Sequence, residues 1–449
     1  MFSVSEIAAI VRGQLAAERA ETPGRIVHDS RRVEEGDLFV ALRGARTDGH
    51  AFLDEAFERG ACGAILTNRS LAPKSARGLI VVADPLAALQ TLASAWRALL
   101  PGTIVAVTGS NGKTTTRSFL AHLLRGTWNV HEAPDNYNTE VGLPLALLAM
   151  PASAEVGVFE LGTEAPGEIA SLAAILRPTA AILTGIGPSH LAGFGSLDAI
   201  AEEKWSLIDA MPPEGLAFVN GDSAHLLDRI EGSHCELHAV GLEAGRFRGR
   251  VIEEVPQLIV AADTPPMRLD TKLVGRHNAG NVLLAVACAR RLGLPADTLQ
   301  ERAIAFEPPA HRLRPLRVPF GFVLDDTYNA NPASTEAALH VLAAFGEPGT
   351  HRVFVFGDML GLGDGAGDLH GRILDLALEL GIDVILPVGD HATATCRNSG
   401  SKRIVSALPE ERLPRLRELL SGPEEAVMLV KGSRALGLET LVSDLLEDG

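Results

Sequence analysis

The residues best suited to chemistry are Val107-Thr-Gly-Ser-Asn-Gly-Lys-Thr-Thr115, a glycine-rich loop that ends in Lys-Thr. Glycines let a backbone wrap closely around phosphate oxygens, and the amides and the helix N-terminus behind them supply partial positive charge. Thr108, Gly109, Ser110, Asn111, Gly112, Lys113, Thr114 and Thr115 are therefore the expected nucleotide loop. Lys113 can reach the terminal phosphates, and Thr114 can ligate Mg²⁺. The spacing departs from the commonest phosphate loop, because Gly109 precedes Gly112 by three positions and not five. A glycine-rich turn that happens to contain Lys is the plain alternative; the order strand, loop, Lys-Thr, helix argues against it.

Other candidates lie downstream. Glu160 closes the apolar run Val156–Leu161. A carboxylate at the C-terminal end of a parallel strand, beside a phosphate loop, is where a Mg²⁺ ligand belongs. A lone Glu after a strand is more often simply solvated. Lys204, after Glu202 and Glu203, reads by itself as a helix-surface residue in an i,i+4 pair. Asn278 and Asn281 stand three apart at a helix start and share a face. Amides donate and accept together, which suits an adenine edge; an Asn there is also a common cap. Asp326 ends a strand in Leu324-Asp-Asp-Thr-Tyr-Asn-Ala-Asn-Pro332, placed for the ribose or phosphate side of a nucleotide. Lys431, Ser433 and Arg434 follow another strand. They could engage substrate peptide or phosphate, and neutralisation by surface acids is an equal reading.

The elements that must position these residues form three α/β units. The first, residues 1–82, is a small mixed unit: helical spacing at Val4, Ile7, Ala8, Val11 and Leu15, a helix over Ala51–Arg59, and short strands at Asp37–Leu42, Ala64–Thr67 and Leu79–Val82. The second, 83–314, opens with a helix after Asp84-Pro85 and then the wholly apolar Ile104–Val107, as in a strand buried on both faces. Strands at Val156–Leu161, Ala180–Thr184 and Leu216–Asn220 alternate with helices, which predicts a wound parallel sheet. Arg246–Leu273 reads as short antiparallel strands, and a helix follows over Asn278–Leu292. The third, 315–449, follows the proline-rich bend Glu307–Pro315 and is of dinucleotide-fold type, with strands at Phe322–Asp326, Arg352–Phe356, Val384–Pro387 and Ala426–Val430.

Composition bounds the rest. At roughly 150 residues per domain, 449 residues predict about three domains. Forty basic against 56 acidic residues give a net charge of −16, which excludes broad charge-driven binding to nucleic acid or anionic membranes. Cys62, Cys235, Cys288 and Cys396 are widely spaced, so neither a disulfide framework nor a zinc ribbon is expected. Met1–Ala20 carries Glu6 and Arg12 and does not read as a signal peptide, and no apolar run reaches the ~20 residues of a membrane span. A cytoplasmic location is expected.

The shortened Thr-Gly-x-x-Gly-Lys-Thr loop resembles that of the ATP-dependent Mur ligases and folylpolyglutamate synthetase, which join a carboxylate to an amine through an acyl phosphate. Asn136-Tyr-Asn-Thr-Glu-Val-Gly-Leu-Pro144 is similar to the Mur-ligase segment near the γ-phosphate, with Thr139 where Asn is usual; this places Asn138 at the nucleotide. The resemblance makes Glu160 a Mg²⁺ ligand and His190 a ligand of a second Mg²⁺. It makes Lys204 a CO₂-derived carbamate bridging to that metal. An ammonium cannot ligate Mg²⁺, whereas a carbamate offers two anionic oxygens; its formation requires a neutral amine, hence a lowered pKa. It assigns Asn278 and Asn281 to adenine and brings Arg312 from the hinge to the γ-phosphate; the alternative for Arg312 is a hinge salt bridge. The expected catalytic set is thus Lys113, His190, Lys204 and Arg312.

The two ends narrow the resemblance. His28-Asp-Ser-Arg31, Gly36–Leu42 and Asp48-Gly-His50 look like the family's uridine-diphosphate-binding domain, with Ser30 and Arg31 as nucleotide contacts. Asp325–Pro332, Gly357-Asp-Met-Leu-Gly-Leu-Gly363 and Val430–Arg434 resemble the branch that adds D-alanyl-D-alanine, with Gly361 where Glu is common. The Asp-Asn-Pro-Arg signature of the diaminopimelate-adding branch is absent. The implied substrates are ATP, UDP-N-acetylmuramoyl-tripeptide and D-alanyl-D-alanine. The implied enzyme is monomeric, with domain closure before chemistry.

Overall fold

The structure, a computed structural model, describes residues 2–17, 21–44, 47–189, 191–230, 232–263, 266–420 and 425–447. Their strands form three sheets. The first contains β1 (Gln14–Ala17), β2 (Ile26–Val27), β3 (Leu38–Val40), β4 (Gly63–Leu66) and β5 (Leu79–Val81), in the order β1-β5-β4-β3-β2. Only β1 runs antiparallel to its neighbour.

The central sheet holds β6 (Thr103–Thr108), β7 (Val130–Glu132), β8 (Val156–Glu160), β9 (Ala180–Leu183), β10 (Leu216–Asn220), β11 (Glu236–Gly241), β12 (Phe247–Glu253), β13 (Ile259–Asp263) and β14 (Pro266–Asp270). Their order is β14-β13-β12-β11-β10-β9-β6-β8-β7. Pairing is parallel from β7 through β12, and β12-β13-β14 form the expected antiparallel extension. Alternate residues of β6 feed two cores. Ile104 and Ala106 pack with helices Pro85–Arg97, Gly142–Leu148 and Glu168–Leu176, while Val105 and Val107 pack with helices Lys113–Leu124 and His277–Arg291. Burial on both faces is why this strand reads as uninterrupted aliphatic sequence.

The third sheet has β15 (Arg314–Val318), β16 (Gly321–Asp326), β17 (His351–Gly357), β18 (Val384–Val388) and β19 (Ala426–Lys431), ordered β15-β16-β19-β17-β18. It is parallel except for β15, and its alternating residues also feed a core on each face. The fold is α/β throughout, as the alternation of elements implied.

Several elements differ from expectation. Arg314 and Pro315, the end of the expected proline-rich bend, open a strand, Arg314–Val318, that pairs antiparallel with β16, so the strand ending at Asp326 is the second of its sheet. An edge strand tolerates Pro315, which a central one would not. The expected helix Ala51–Arg59 is a 3₁₀ turn, Gly49–Phe52, followed by helix Leu53–Glu58. The four cysteines are buried, and none of them forms a disulfide among the described residues. No helix of the described residues is long and apolar enough to cross a membrane.

Candidate active site

The chain leaves β6 toward β7 on one side and returns to β9 on the other. The C-terminal end of β6 is therefore a topological switch point, where open α/β sheets bind ligands. The loop Gly109–Gly112 sits there, leading into helix Lys113–Leu124. Gly109 and Gly112 have φ of 146° and 81°. A Cβ at Gly109 would lie 1.9 Å from Thr184 Oγ1, and one at Gly112 would lie 2.2 Å from Asn281 Oδ1. Both positions therefore require glycine, on conformation and on space. The Thr184 hydroxyl donates to the Asn111 carbonyl (2.6 Å), and Ser110 Oγ donates to the Gly187 carbonyl (2.9 Å), which fixes the loop.

The expected residues converge on this loop. Lys113 Nζ donates to the Gly109 carbonyl at 2.9 Å. The surrounding protein lowers its pKa; Glu160 opposes this and Arg312 adds to it. Glu160 is not the solvated strand end of the plain reading, since it is 5% exposed. Its carboxylate accepts from Thr114 Oγ1 and from Asn138 Nδ2, each at 2.8 Å. Arg312 Nη2 donates to Thr114 Oγ1 at 3.1 Å, across the hinge. Among the described residues it has no salt-bridge partner, which removes the hinge ion pair as its explanation.

Lys204 is not on a surface. It lies on helix Leu197–Asp209, is 2% exposed, and has no hydrogen-bond or ion-pair partner among the described residues. Burial, reinforced by the charge of Lys113 and opposed by Glu203 and Glu160, brings its pKa down to about 7. Neighbouring Glu203 is occupied elsewhere: it accepts from the amides of Gly167 (2.6 Å) and Ile169 (2.7 Å), at the start of helix Glu168–Leu176. His190 lies outside the described residues. Among the described residues no group of three or more His, Cys, Asp or Glu is arranged to hold a metal ion. The donor set beside the loop is instead Thr114, Glu160 and the unpartnered amine of Lys204, which supplies an anionic oxygen donor only after modification.

Asn281 Nδ2 donates to Asn278 Oδ1 (2.9 Å), so the two amides form the shared face inferred from their spacing. Asp326 is held by Lys431 Nζ at 2.5 Å and by the Leu313 amide at 3.1 Å. Lys431 is thus neutralised by a buried acid, not a surface one. Ser433 is buried, and its hydroxyl accepts from the Leu360 amide at 2.8 Å. Arg434 pairs with Glu439 at 3.1 Å. One cavity of about 1120 Å³ is lined by Lys113, Thr114, Glu160, Lys204, Arg312 and Lys431, together with Asn138, Asn278, Asn281 and Asp326. That is room for a nucleoside triphosphate and the reacting end of a second substrate. Ser30 and Arg31 are not among its lining residues: Ser30 is buried with its hydroxyl on Glu55 (2.7 Å), and exposed Arg31 is chelated by Asp29 (2.8 Å).

Sequence reasoning passed over three residues. Arg117, one turn past Lys113, is 2% exposed; it donates to the Pro134 carbonyl (3.3 Å) and pairs with Asp135 and with Glu132 (3.3 Å). It ties the phosphate-loop helix to the segment leading to Asn138. Its i+4 spacing from Lys113 was the available signal. Tyr328 lies beneath Arg312, and Asn331 Nδ2 donates to Asn111 Oδ1 (2.8 Å), so the stretch after β16 touches the loop itself.

Comparison with known proteins addresses the same segments. The Mur ligase middle domain matches residues 107–289, the Mur ligase glutamate ligase domain 311–434, and the Mur ligase family catalytic domain 25–97. A UDP-N-acetylmuramoyl-tripeptide–D-alanyl-D-alanine ligase of Bacillus subtilis is 32% identical, over 99% of this chain and 98% of its own. One from Synechocystis is 35% identical, over 94% and 92%. The chain belongs to the Mur ligase family. Among solved structures, MurF from Acinetobacter baumannii superposes with a TM-score of 0.89 at 30% identity, covering 99% of both chains. MurF of Thermotoga maritima, in complex with ADP, gives 0.83 at 27% identity, over 94% and 97%. This Mur ligase therefore shares the whole three-sheet architecture with those neighbours, and its middle-domain match begins at Val107, directly before the phosphate loop.

Proposed function

We propose that this Mur ligase joins the terminal carboxylate of UDP-N-acetylmuramoyl-tripeptide to the amine of D-alanyl-D-alanine, converting ATP to ADP and phosphate in peptidoglycan precursor synthesis. The full-length likeness to ligases of that name carries the reading, and the convergence of Lys113, Glu160, Lys204 and Arg312 on one cavity supports it. The substrate carboxylate attacks the γ-phosphorus, the bond to the β-phosphate oxygen breaks, and an acyl phosphate forms. The dipeptide amine then attacks the acyl carbon and loses a proton, and the tetrahedral adduct expels phosphate. Lys113 and Arg312 would stabilise charge on the transferring phosphoryl group. Asn278 and Asn281 would hold adenine, and Asp326 the ribose side of ATP.

Thr114 and Glu160 would hold Mg²⁺, and Lys204 as a carbamate would join His190 at a second ion; Mg²⁺ neutralises the repulsion between triphosphate and carboxylate. The buried, unpaired Lys204 amine, with its pKa near neutrality, fits that modification. Ser30 and Arg31 would contact the uridine diphosphate, and Lys431 and Arg434 the peptide end. The enzyme would act as a monomer, in the cytoplasm where ATP and UDP-linked precursors meet.

The test is phosphate release from Mg-ATP. UDP-N-acetylmuramoyl-tripeptide with D-alanyl-D-alanine should elicit it, and neither alone should. Release with UDP-N-acetylmuramoyl-dipeptide plus lysine or diaminopimelate, or with folate plus glutamate, and none with the first pair would overturn the assignment.

A further inference from the structure

We propose that Tyr328 is the positioning residue that aims Arg312 at the reacting phosphoryl group and ties that aim to the Asn136–Asn138 segment. The Arg312 guanidinium carbon lies 3.6 Å from the centroid of the Tyr328 ring. One nitrogen of the same group reaches Thr114 Oγ1 at 3.1 Å. A long cationic side chain with no carboxylate partner has many rotamers. Stacking on a ring face removes most of them and leaves the donor edge directed at the phosphate loop.

The ring is itself fixed at two points. The Tyr328 amide donates to the His311 carbonyl at 3.1 Å, one residue before Arg312. Its hydroxyl donates to Asn136 Oδ1. Asn136 has φ of 67°, a left-handed conformation that Asn tolerates better than most residues. Two residues on, Asn138 donates to Glu160. Tyr328 thus touches the hinge cation on one side and the chain that orients Glu160 on the other. Burial raises the phenol pKa, so the hydroxyl stays a donor at neutral pH. Arg434 is a poor competitor for the ring: it stands 6.0 Å from the centroid and is already paired with Glu439. Because Tyr328 follows β16 and Asn136 belongs to the central segment, the ring that aims Arg312 is also anchored across the two segments.

The proposal rests on the reading that Arg312 acts on the phosphoryl group, and the experiment separates the two. Steady-state phosphate release is measured on the full chain for Arg312→Ala, Tyr328→Leu, Tyr328→Phe and the Arg312→Ala/Tyr328→Leu double variant, with thermal midpoints as a check on folding. Tyr328→Leu should lower kcat about tenfold, the scale of one cation–π contact, with KM for the UDP-tripeptide unchanged. Tyr328→Phe, which keeps the ring but loses the hydroxyl's hold on Asn136, should recover part of that loss. In the Arg312→Ala background Tyr328→Leu should cost less than about twofold, because coupled residues are not additive. An equal cost in both backgrounds, or Phe as damaging as Leu, overturns the proposal. If Arg312→Ala keeps full kcat, the reading of Arg312 falls and the proposal with it. If Arg312→Ala is inactive while Tyr328→Leu is normal, only the proposal falls.

Discussion

Gly112→Ala is the sharpest test of the phosphate-loop geometry. An Ala there keeps φ at 81°, a left-handed conformation that costs an L-residue roughly 1–2 kcal/mol. Its Cβ would stand 2.2 Å from Asn281 Oδ1 and 2.9 Å from Asn281 Nδ2, so the carboxamide must move. Asn281 is 7% exposed, and that Nδ2 is the donor to Asn278. Breaking a buried hydrogen bond costs about 1–3 kcal/mol, giving about 2–5 kcal/mol in all. If the loop absorbs the strain, KM for ATP rises at least about thirtyfold, at about 1.4 kcal/mol per tenfold. If the fold absorbs it, the thermal midpoint falls instead. Both are measured, by ATP titration of phosphate release and by calorimetry. The same change made in an Asn281→Ala background should cost less, since the clash is gone and only the dihedral penalty remains. Gly112→Ala with ATP KM and midpoint both unchanged would refute the geometry. An equal cost in the two backgrounds would refute the role given to Asn281.

Two further outcomes are expected. With a Lys204 pKa of about 7, half the amine is neutral at pH 7 and about a tenth at pH 6, against roughly one part in three thousand for an ordinary lysine at pH 7. After CO₂ depletion, added bicarbonate should therefore restore activity more completely at pH 7.5 than at pH 6, and Lys204→Arg should be inactive and unresponsive; a bicarbonate-independent wild type would remove the carbamate. Lys431→Met strips the buried Asp326 carboxylate of its partner and should destabilise the chain by about 3 kcal/mol in a denaturant melt, with Asp326→Asn in the same chain recovering part of it; equal melts for Lys431→Met and wild type would show that the pair contributes nothing.

What the sequence made legible was set by how strongly each element is dictated locally. β6 and the loop after it were plain because two-sided burial demands continuous aliphatic residues and the close approaches of Gly109 and Gly112 demand glycine. β2, two residues long, carries too little pattern to be read, and β15 hid behind Arg314, Pro315 and Arg317, which an edge strand accepts. Glu160, Lys204 and Arg312 had the right types, but their neighbours come from distant parts of the chain: Thr114 is 46 residues from Glu160 and 198 from Arg312. Spacing along the chain cannot report such contacts; a strand end beside the loop pointed to Glu160, and the family pattern alone pointed to Lys204 and Arg312. Arg117 was missed for the opposite reason. It looks like any helix-surface arginine, and its burial is created by the Glu132–Asp135 segment folding over it.

The net charge of −16 poses a problem that this arrangement resolves. An acidic surface repels triphosphate and UDP-linked substrates at long range, but at physiological salt that field fades beyond about 8 Å. What matters is the charge inside the cavity and what holds it there. Lys113 rests on a carbonyl and Arg312 on a ring and a hydroxyl, whereas Lys431 is matched to a carboxylate. Neutral acceptors give up a cation more cheaply than carboxylates do, because no unpaired anion is left buried behind. Lys113 and Arg312 are therefore the groups free to turn toward an incoming phosphate. Lys431, whose departure would strand Asp326, is the one built to stay, so its contribution to substrate binding must be made from where it already stands.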